Sequence, residues 1–123
     1  MIIILAKIRF QSLSDRDHTL KERVESEEAS RSEPGLIEYR SAIDPYDPLL
    51  LHALEIFTSG EAFIAHHESQ HMKALVSRVG HIKTDVTAKA YQGDLTPFDL
   101  SKLIKHDTFS GADGKSAISV TVA

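Results

Sequence analysis

Two strongly apolar segments with strand-like alternation constrain the fold of this chain more than any other sequence feature. In the first, at residues 1–10, every even-numbered position is apolar, whereas the odd-numbered positions end in Lys7 and Arg9. The second, LLLHALEIF at residues 49–57, is the most apolar stretch of the chain. A period of two residues is typical of a β-strand with one covered face. We therefore predict two strands of one sheet, the first covered on both faces for part of its length.

Residues 36–43 and 84–91 alternate in the same way and complete the set of predicted strands. Between the second and third strands, the sequence DPYDP contains two prolines, which favour a turn. We predict a hairpin of these two strands, closed by a loop at residues 44–48. The fourth strand carries polar side chains on one face, so we expect that face to meet water.

The predicted first helix follows the first strand and is highly charged. Ser14 or Asp15 is expected to cap its amino terminus, and Leu20 and Val24 form a thin apolar stripe. Pro34 ends the helix, because proline cannot continue the backbone hydrogen-bonding pattern. We expect this helix to lie on the surface.

A second helical region follows the third strand and consists of two short helices. Thr58 or Ser59 is expected to cap the first of them, which buries Phe63 and His66. Ser69 stands at the capping position of the next helix, whose apolar residues recur at helical spacing: Met72, Leu75, Val76 and Val79. The sequence therefore predicts a break in the helical region at Ser69.

The predicted order is strand, helix, strand, strand, helical region, strand. This order is the split β-α-β plan of ferredoxin-like domains, an α+β class with one antiparallel sheet and its helices on one face. The other sheet face would expose apolar residues of the first three strands, so we expect a second copy to pack on it, sheet to sheet, as a homodimer. The segment SAISVTV at residues 116–122 predicts a short final strand, on the same domain or on the partner.

Residues 67–71, HESQH, match the zinc-hydrolase pattern H-E-x-x-H. That site requires both histidines on one continuous helix and a third ligand from elsewhere. The extended form of the pattern needs Gly and His where this chain has Ala74 and Ser77. With a helix break expected at Ser69, the sequence argues against a zinc hydrolase, and no metal is expected.

The composition of the 123 residues excludes several classes of function. The 14 Lys and Arg residues are scattered and the formal net charge is -4, which gives no footprint for nucleic acid. There is no cysteine, so sulfur-based redox chemistry and Cys-based metal sites are excluded. The apolar amino terminus has no preceding basic region and is cut short by Lys7, unlike a secretion signal or a membrane span. We expect a cytoplasmic protein that contacts neither nucleic acid nor membrane.

An ordered set of short motifs over residues 1–91 resembles the antibiotic biosynthesis monooxygenase (ABM) domain. The residues that carry this resemblance are Glu33-Pro34-Gly35, Tyr39, the turn at 44–48, Glu55-Ile56-Phe57, SGEAF at 59–63, His66 and Ser69-Gln70-His71. The resemblance implies a dimeric ferredoxin-like fold, or dimeric α/β barrel, with residues 92–123 as a carboxyl-terminal extension. It also implies a bent second helix where the zinc pattern stands.

The resemblance leaves several activities open, because members of the family differ in chemistry. Known members include oxygenases that act on phenols and quinols with O2 and without metal or flavin, haem-degrading enzymes and an isomerase of a phosphorylated sugar. Haem-degrading members carry Asn, Trp and His at the positions of Lys7, Phe57 and Val76. The absence of all three argues against haem degradation.

We therefore expect a cofactor-independent monooxygenase that oxidises a small phenol- or quinol-type substrate with O2. Such a reaction needs a base and an apolar pocket, and histidine is the natural base near neutral pH. His66 is the predicted base and Glu55 its orienting partner. The predicted substrate-binding residues are Tyr39, Phe57, Phe63 and His71.

Strand alternation places Glu55 and Phe57 on one face of the third strand, and the hairpin is expected to bring Ile37 and Tyr39 onto the same face. Two alternatives remain open from the sequence: an isomerase of a small carbonyl compound, and a non-catalytic dimeric module that binds or assists. A closed interior around Tyr39, Glu55 and His66 would favour the binding module, because His66 would then be a packing residue.

Overall fold

The computed structural model describes residues 1–94 and residue 96. The predicted final strand at residues 116–122 lies outside this part of the chain. The described residues contain four strands and three helices. Their bounds are β1 Ile2–Phe10, α1 Leu13–Ser30, β2 Leu36–Ile43, β3 Leu50–Phe57, α2 Gly60–His67, α3 Gln70–Val79 and β4 Thr84–Gln92.

The strands form one antiparallel sheet in the order β2-β3-β1-β4. The two apolar strands β1 and β3 are central, and Ala6 of β1 lies opposite Ala53 of β3 and Ala88 of β4. Helix α1 packs on α3 and β2, while α2 packs on β2 and β3. The structure therefore confirms the ferredoxin-like split β-α-β fold.

The structure corrects two details of the first helix. Its amino-terminal cap is Ser12, whose Oγ accepts a hydrogen bond from the backbone N–H of Asp15 at 3.1 Å, so Ser14 and Asp15 are not the cap. The predicted apolar stripe is also wrong, because Val24 is 45% exposed. The buried face is instead polar and consists of Thr19, Ser26, Glu27 and Ser30.

The two serines of this polar face make hydrogen bonds, which offset the cost of burying their hydroxyl groups. Ser26 Oγ donates to Met72 Sδ of α3 at 3.3 Å, and Ser30 Oγ donates to the Ser26 carbonyl at 2.7 Å. A hydrophobicity pattern cannot reveal a helix face of this kind, because hydroxyl side chains read as exposed positions.

The hairpin loop is one residue longer than predicted, since β3 begins at Leu50. The Asp44 carboxylate accepts hydrogen bonds from the backbone N–H groups of Tyr46 at 2.9 Å and Asp47 at 2.8 Å. The Leu50 N–H donates to the Asp47 carbonyl at 3.1 Å. These bonds close the turn, which the two prolines alone could not specify.

A register shift between Leu36 and Glu38 changes which side chains of β2 face the helices. Ile37 is 49% exposed, so the prediction that it shares a face with Tyr39 is wrong. Tyr39 is buried and lies opposite Glu55, as expected, and Leu36 packs against the core in place of Ile37. An irregularity of one residue reverses the side-chain alternation that precedes it.

The break at Ser69 is confirmed. Ser59 caps α2, where its Oγ accepts from the Ala62 N–H at 3.2 Å, and Ser69 caps α3 by accepting from the Met72 N–H at 3.3 Å. His67 is the last residue of α2, whereas His71 belongs to α3. The two histidines of the H-E-x-x-H pattern therefore do not share a helix, and the geometry of a zinc hydrolase is not formed.

The sheet face opposite the helices is open in the single subunit and forms a concave surface with a volume of about 590 Å³. Leu5 and Tyr91 on this surface are 49% and 53% exposed. The bare apolar face expected from the strand order is therefore present. Among the described residues, no helix is long and apolar enough to cross a bilayer.

Candidate active site

His66 lies at the centre of the candidate site, in the last turn of α2. Its side chain is completely buried. His66 Nδ1 lies 2.7 Å from Glu33 Oε2, a hydrogen bond in which the ring N–H donates to the carboxylate. Because a carboxylate can only accept, the ring proton of the neutral imidazole lies on Nδ1. Nε2 then faces away from Glu33.

Glu33 reaches His66 from the loop between α1 and β2. The Glu33 N–H donates to the Ser30 carbonyl at 3.0 Å. This bond forms a tight turn directly after the end of α1. Gly35 then passes very close to α2, because a Cβ on Gly35 would lie 2.2 Å from Ala62 Cβ. The Gly35 carbonyl accepts from the Thr58 N–H at 2.8 Å, which anchors this loop to the start of the α2 segment.

The second carboxylate oxygen of Glu33 connects α2 with α3. Glu33 Oε1 lies 2.7 Å from His71 Nε2, a short ion-pair contact that lacks the geometry of a hydrogen bond, and both atoms are buried without a hydrogen-bond partner among the described residues. Glu33 therefore holds His66 on one side and contacts His71 on the other. The predicted site residue His71 belongs to the cluster through Glu33.

Glu55 faces the other nitrogen of His66. Its Oε1 lies 3.7 Å from His66 Nε2 and 3.9 Å from His67 Nε2. Both distances exceed that of a hydrogen bond, and His66 Nε2 is buried without a partner among the described residues. The predicted pair of His66 and Glu55 is therefore adjacent, but Glu33 rather than Glu55 makes the direct bond that orients the imidazole.

Aromatic rings surround this group of charged and imidazole side chains. The ring centroids of Tyr39 and Phe57 lie 4.9 and 5.3 Å from that of His66. Phe63 lies 5.4 Å from Phe57 and 4.2 Å from His67. Phe57 is fully buried and Tyr39 nearly so. In the single subunit these rings occupy the space around His66 in which an open substrate pocket was expected.

The imidazole groups of the cluster that reach the surface, those of His67 and His71, lie where α2 meets α3. The His67 side chain is 40% exposed and that of His71 is 25% exposed, in contrast to the buried His66. A small molecule that approaches this edge meets His67 and His71 first. Beyond the sheet face, two further cavities of about 280 and 270 Å³ are lined by Tyr39 and by His71, respectively.

Burial controls the protonation of the two titratable rings. Desolvation lowers the pKa of His66 below its ordinary value of 6.5, although the nearby Glu33 carboxylate opposes the shift. Desolvation also raises the pKa of Tyr39 above 10. At neutral pH the structure therefore favours a neutral imidazole that can accept a proton and a neutral tyrosine hydroxyl.

Tyr39 contributes to the core as much as to the site. Its hydroxyl donates to Met72 Sδ at 3.7 Å, and the Arg23 guanidinium carbon lies 5.4 Å from the centre of its ring. Together with Met72 and Leu75 it forms the buried hydrophobic cluster between sheet and helices. Its hydroxyl is therefore directed to Met72.

The structure brings all six predicted site residues together in one connected cluster: His66, Glu55, Tyr39, Phe57, Phe63 and His71. Sequence reasoning missed the roles of Glu33 and His67. Glu33 belonged to a motif of the family resemblance, which was the only signal available for it. His67 was considered only as part of the zinc pattern.

Two sets of three side chains in this cluster have possible metal-ligating atoms within 4.8 Å of one another. The sets are Glu33, His66 and His71, and Glu55, His66 and His67. Both share His66. The same donors can move a proton or hold a cation, because imidazole nitrogen and carboxylate oxygen serve both purposes.

Comparison with known proteins identifies the family. The family model described as "Antibiotic biosynthesis monooxygenase" matches residues 1–78. No curated protein matches the chain significantly.

Several solved structures share the fold. A Deinococcus radiodurans protein provisionally assigned as an antibiotic biosynthesis monooxygenase is 20% identical, with a TM-score of 0.68 over 78% of this chain and 95% of that one. Another structure named antibiotic biosynthesis monooxygenase is 24% identical, with a TM-score of 0.65 over 76% and 98%. Rv0793 from Mycobacterium tuberculosis is 18% identical, with a TM-score of 0.64 over 78% and 100%. With its ferredoxin-like fold and the family match over residues 1–78, the chain belongs to the antibiotic biosynthesis monooxygenase family.

Proposed function

We propose that this protein is a monooxygenase that oxidises a small phenol- or quinol-type aromatic compound with O2. Membership of the antibiotic biosynthesis monooxygenase family supports an oxygenase reaction of this general type. The observation that carries the proposal is the state of His66. Its side chain is buried, held at Nδ1 by Glu33 and unpartnered at Nε2 among the described residues, and burial lowers its pKa, which favours the neutral imidazole.

In the proposed reaction, His66 Nε2 accepts the proton of the substrate hydroxyl. The imidazolium that forms lies between the carboxylates of Glu33 and Glu55, which stabilise its positive charge. Loss of the proton makes the aromatic ring electron-rich enough to react with O2. A ring carbon then forms a bond to oxygen, the O–O bond breaks, and a phenol yields a quinone and one molecule of water.

The aromatic rings give this region the dry surroundings that the anion requires. Because they also fill the space around His66, substrate binding requires a ring to move. Phe63 is the best candidate, since it is only partly buried and packs on the exposed His67. We propose that Phe63 turns aside at the edge between α2 and α3, while Phe57 and Tyr39 hold the substrate ring.

We also propose that two copies of the chain pack sheet to sheet. Leu5, Leu54 and Tyr91 line the open sheet face, and burying such apolar surface in a dimer is favourable. Leu54→Lys places a charge in this surface. We expect it to convert a dimer to a monomer in sedimentation equilibrium, whereas Ile64→Lys, on an exposed position of α2, leaves the mass unchanged. A wild-type protein that sediments as a monomer contradicts this proposal.

Oxygen uptake with a panel of quinols and phenols tests the proposed function. We expect His66→Ala to reduce turnover of an accepted substrate by about 100-fold or more, the usual contribution of a general base. Glu55→Gln should reduce it less, because Glu55 acts on the charge of the imidazolium. His81→Gln is a control on an exposed histidine outside the cluster. Unchanged turnover in His66→Ala contradicts the proposal.

A non-catalytic binding module is the second candidate, and the packing of the aromatic rings around His66 favours it. This alternative expects that a small aromatic compound binds to the protein without O2 consumption. An isomerase of a small carbonyl compound would also use His66 as a base, but it would convert its substrate under argon. Turnover that requires O2, turnover under argon, and binding without turnover therefore distinguish the three candidate functions.

A further inference from the structure

His66 and His67 both carry a free lone pair on Nε2. His66 Nδ1 lies 2.7 Å from Glu33 Oε2, and His67 Nδ1 lies 3.0 Å from the Phe63 carbonyl oxygen. Both partners are pure acceptors, so each Nδ1 carries the proton in a neutral ring. The Nε2 atom of each ring is then unprotonated.

Both Nε2 atoms face the same carboxylate oxygen. Glu55 Oε1 lies 3.7 Å from His66 Nε2 and 3.9 Å from His67 Nε2. When both imidazole rings are neutral, all three atoms are hydrogen-bond acceptors, and none of them carries a proton that it could donate to another. His66 Nε2 is buried without a hydrogen-bond partner among the described residues, which is costly for a polar atom. A cation among the three atoms would satisfy all of them.

The distances fit a transition-metal ion better than a hydrogen bond. Zinc binds imidazole nitrogen and carboxylate oxygen at about 2.1 Å, which separates neighbouring ligands by roughly 3.4 to 3.6 Å at angles from tetrahedral to trigonal. The two observed separations between nitrogen and oxygen, 3.7 and 3.9 Å, are only a few tenths of an ångström longer, and all three ligand atoms lie within 4.8 Å of one another. In the other set, Glu33 lies 2.7 Å from both His66 and His71, which suits hydrogen-bonded or ion-pair contact rather than two ligands of one ion.

The surroundings of the three atoms also resemble those of a metal centre. A ligating histidine usually donates its second ring N–H to a carboxylate or a carbonyl group, which fixes the ring orientation. Glu33 does this for His66 and the Phe63 carbonyl does it for His67. The His67 side chain is 40% exposed, so this side of the site is in contact with solvent.

We propose that Glu55, His66 and His67 bind one divalent transition-metal ion such as Zn²⁺. The site does not depend on the proposed oxygenase activity, because it rests on the positions of three protein atoms alone. A bound ion would occupy the Nε2 lone pair that the proposed oxidation needs. We therefore expect the ion to act as an inhibitor of that reaction, not as its cofactor.

Calorimetric titration of ZnCl₂ into the full-length, EDTA-treated protein tests the proposal. We expect one ion per chain. His67→Ala changes a partly exposed side chain and should therefore leave the fold intact, which far-ultraviolet circular dichroism checks. It should weaken Zn²⁺ binding by at least 10-fold, and Glu55→Gln should do the same. Glu33→Gln should weaken binding by about 10-fold to 100-fold, the usual effect of changing an outer partner of a ligating histidine.

Co²⁺ provides a second probe, because its visible absorption reports the coordination geometry. Strong bands typical of four or five ligands are expected with the wild-type protein and not with His67→Ala. His81→Ala should bind Zn²⁺ as the wild type does. Absence of one-to-one Zn²⁺ binding, or full affinity in His67→Ala, overturns the proposal. A loss confined to His71→Ala would place the ion beside Glu33 and would overturn it as well.

These outcomes are separate from those of the oxygen-uptake experiment. Zn²⁺ binding is measured without substrate, so it succeeds or fails whether or not the protein oxidises a quinol. Conversely, oxygen uptake is measured in the presence of EDTA and does not depend on the ion.

Discussion

Glu33 Oε2 and His66 Nδ1 lie 2.7 Å apart although the two residues are 33 positions apart in the sequence. This bond joins the loop after α1 to the last turn of α2. Glu33 also contacts His71 at 2.7 Å at the start of α3. One carboxylate thus connects three segments of the chain and orients the imidazole at the centre of the site.

Glu33→Ala should reduce the free energy of unfolding by about 2 to 3 kcal/mol, because it leaves the buried His66 without its acceptor. Glu33→Gln keeps an oxygen that can accept the Nδ1 proton, so its loss should be about 1 kcal/mol or less. Urea denaturation measures both values. Glu61→Ala, on an exposed position of α2, is the control. Equal stability of Glu33→Ala and the wild type would show that this bond contributes nothing to the fold.

Gly35→Ala should move the Glu33 loop away from α2. The new Cβ would lie 2.2 Å from Ala62 Cβ, so the two backbones must separate, which costs about 1 to 3 kcal/mol. Gly60→Ala is a matched control, because a Cβ at Gly60 meets nothing within 4 Å. Thermal unfolding of the two variants compares them directly. A Gly35→Ala protein as stable as Gly60→Ala would contradict the close approach of loop and helix.

Ser69→Ala should destabilise α3 by about 1 kcal/mol through loss of its amino-terminal cap. Ser69 Oγ accepts from the Met72 N–H at 3.3 Å and donates to the His66 carbonyl at 2.6 Å, so the substitution also loosens the junction with α2. Amide hydrogen exchange should become faster in the first turn of α3. Ser77→Ala, exposed in the same helix, should leave the exchange rates unchanged.

Tyr39 should ionise only above the ordinary pKa of a tyrosine hydroxyl. Burial raises its pKa in the folded state above the ordinary value of 10, so folding favours the protonated hydroxyl. The associated stability is fully present below pH 10 and is lost as the pH rises through the raised pKa. Absorbance at about 295 nm, where tyrosinate absorbs, should show that Tyr39 ionises in a late step that coincides with unfolding. In Tyr39→Phe the late step should disappear. Absence of a late step in the wild-type protein would contradict the burial of this hydroxyl.

The sequence by itself determined the order of the strands and helices and their approximate bounds. The alternation in residues 2–10 and 50–57 specifies the two central strands, and Ser59 and Ser69 specify two of the three helix caps. These features depend on side chains that are neighbours along the chain, so local physical chemistry is sufficient to read them. The same local signals separated His67 from His71 and argued against a zinc hydrolase.

The tertiary structure decided what surrounds His66. The register shift at β2 turned Ile37 outward, and the polar face of α1 became a buried surface through contacts such as Ser26 with Met72. The place of Glu33 beside His66 depends on the close approach of Gly35 to α2, which no local pattern encodes. Contacts of this kind arise only after strands are paired and helices are packed, because they join segments that the sequence keeps far apart.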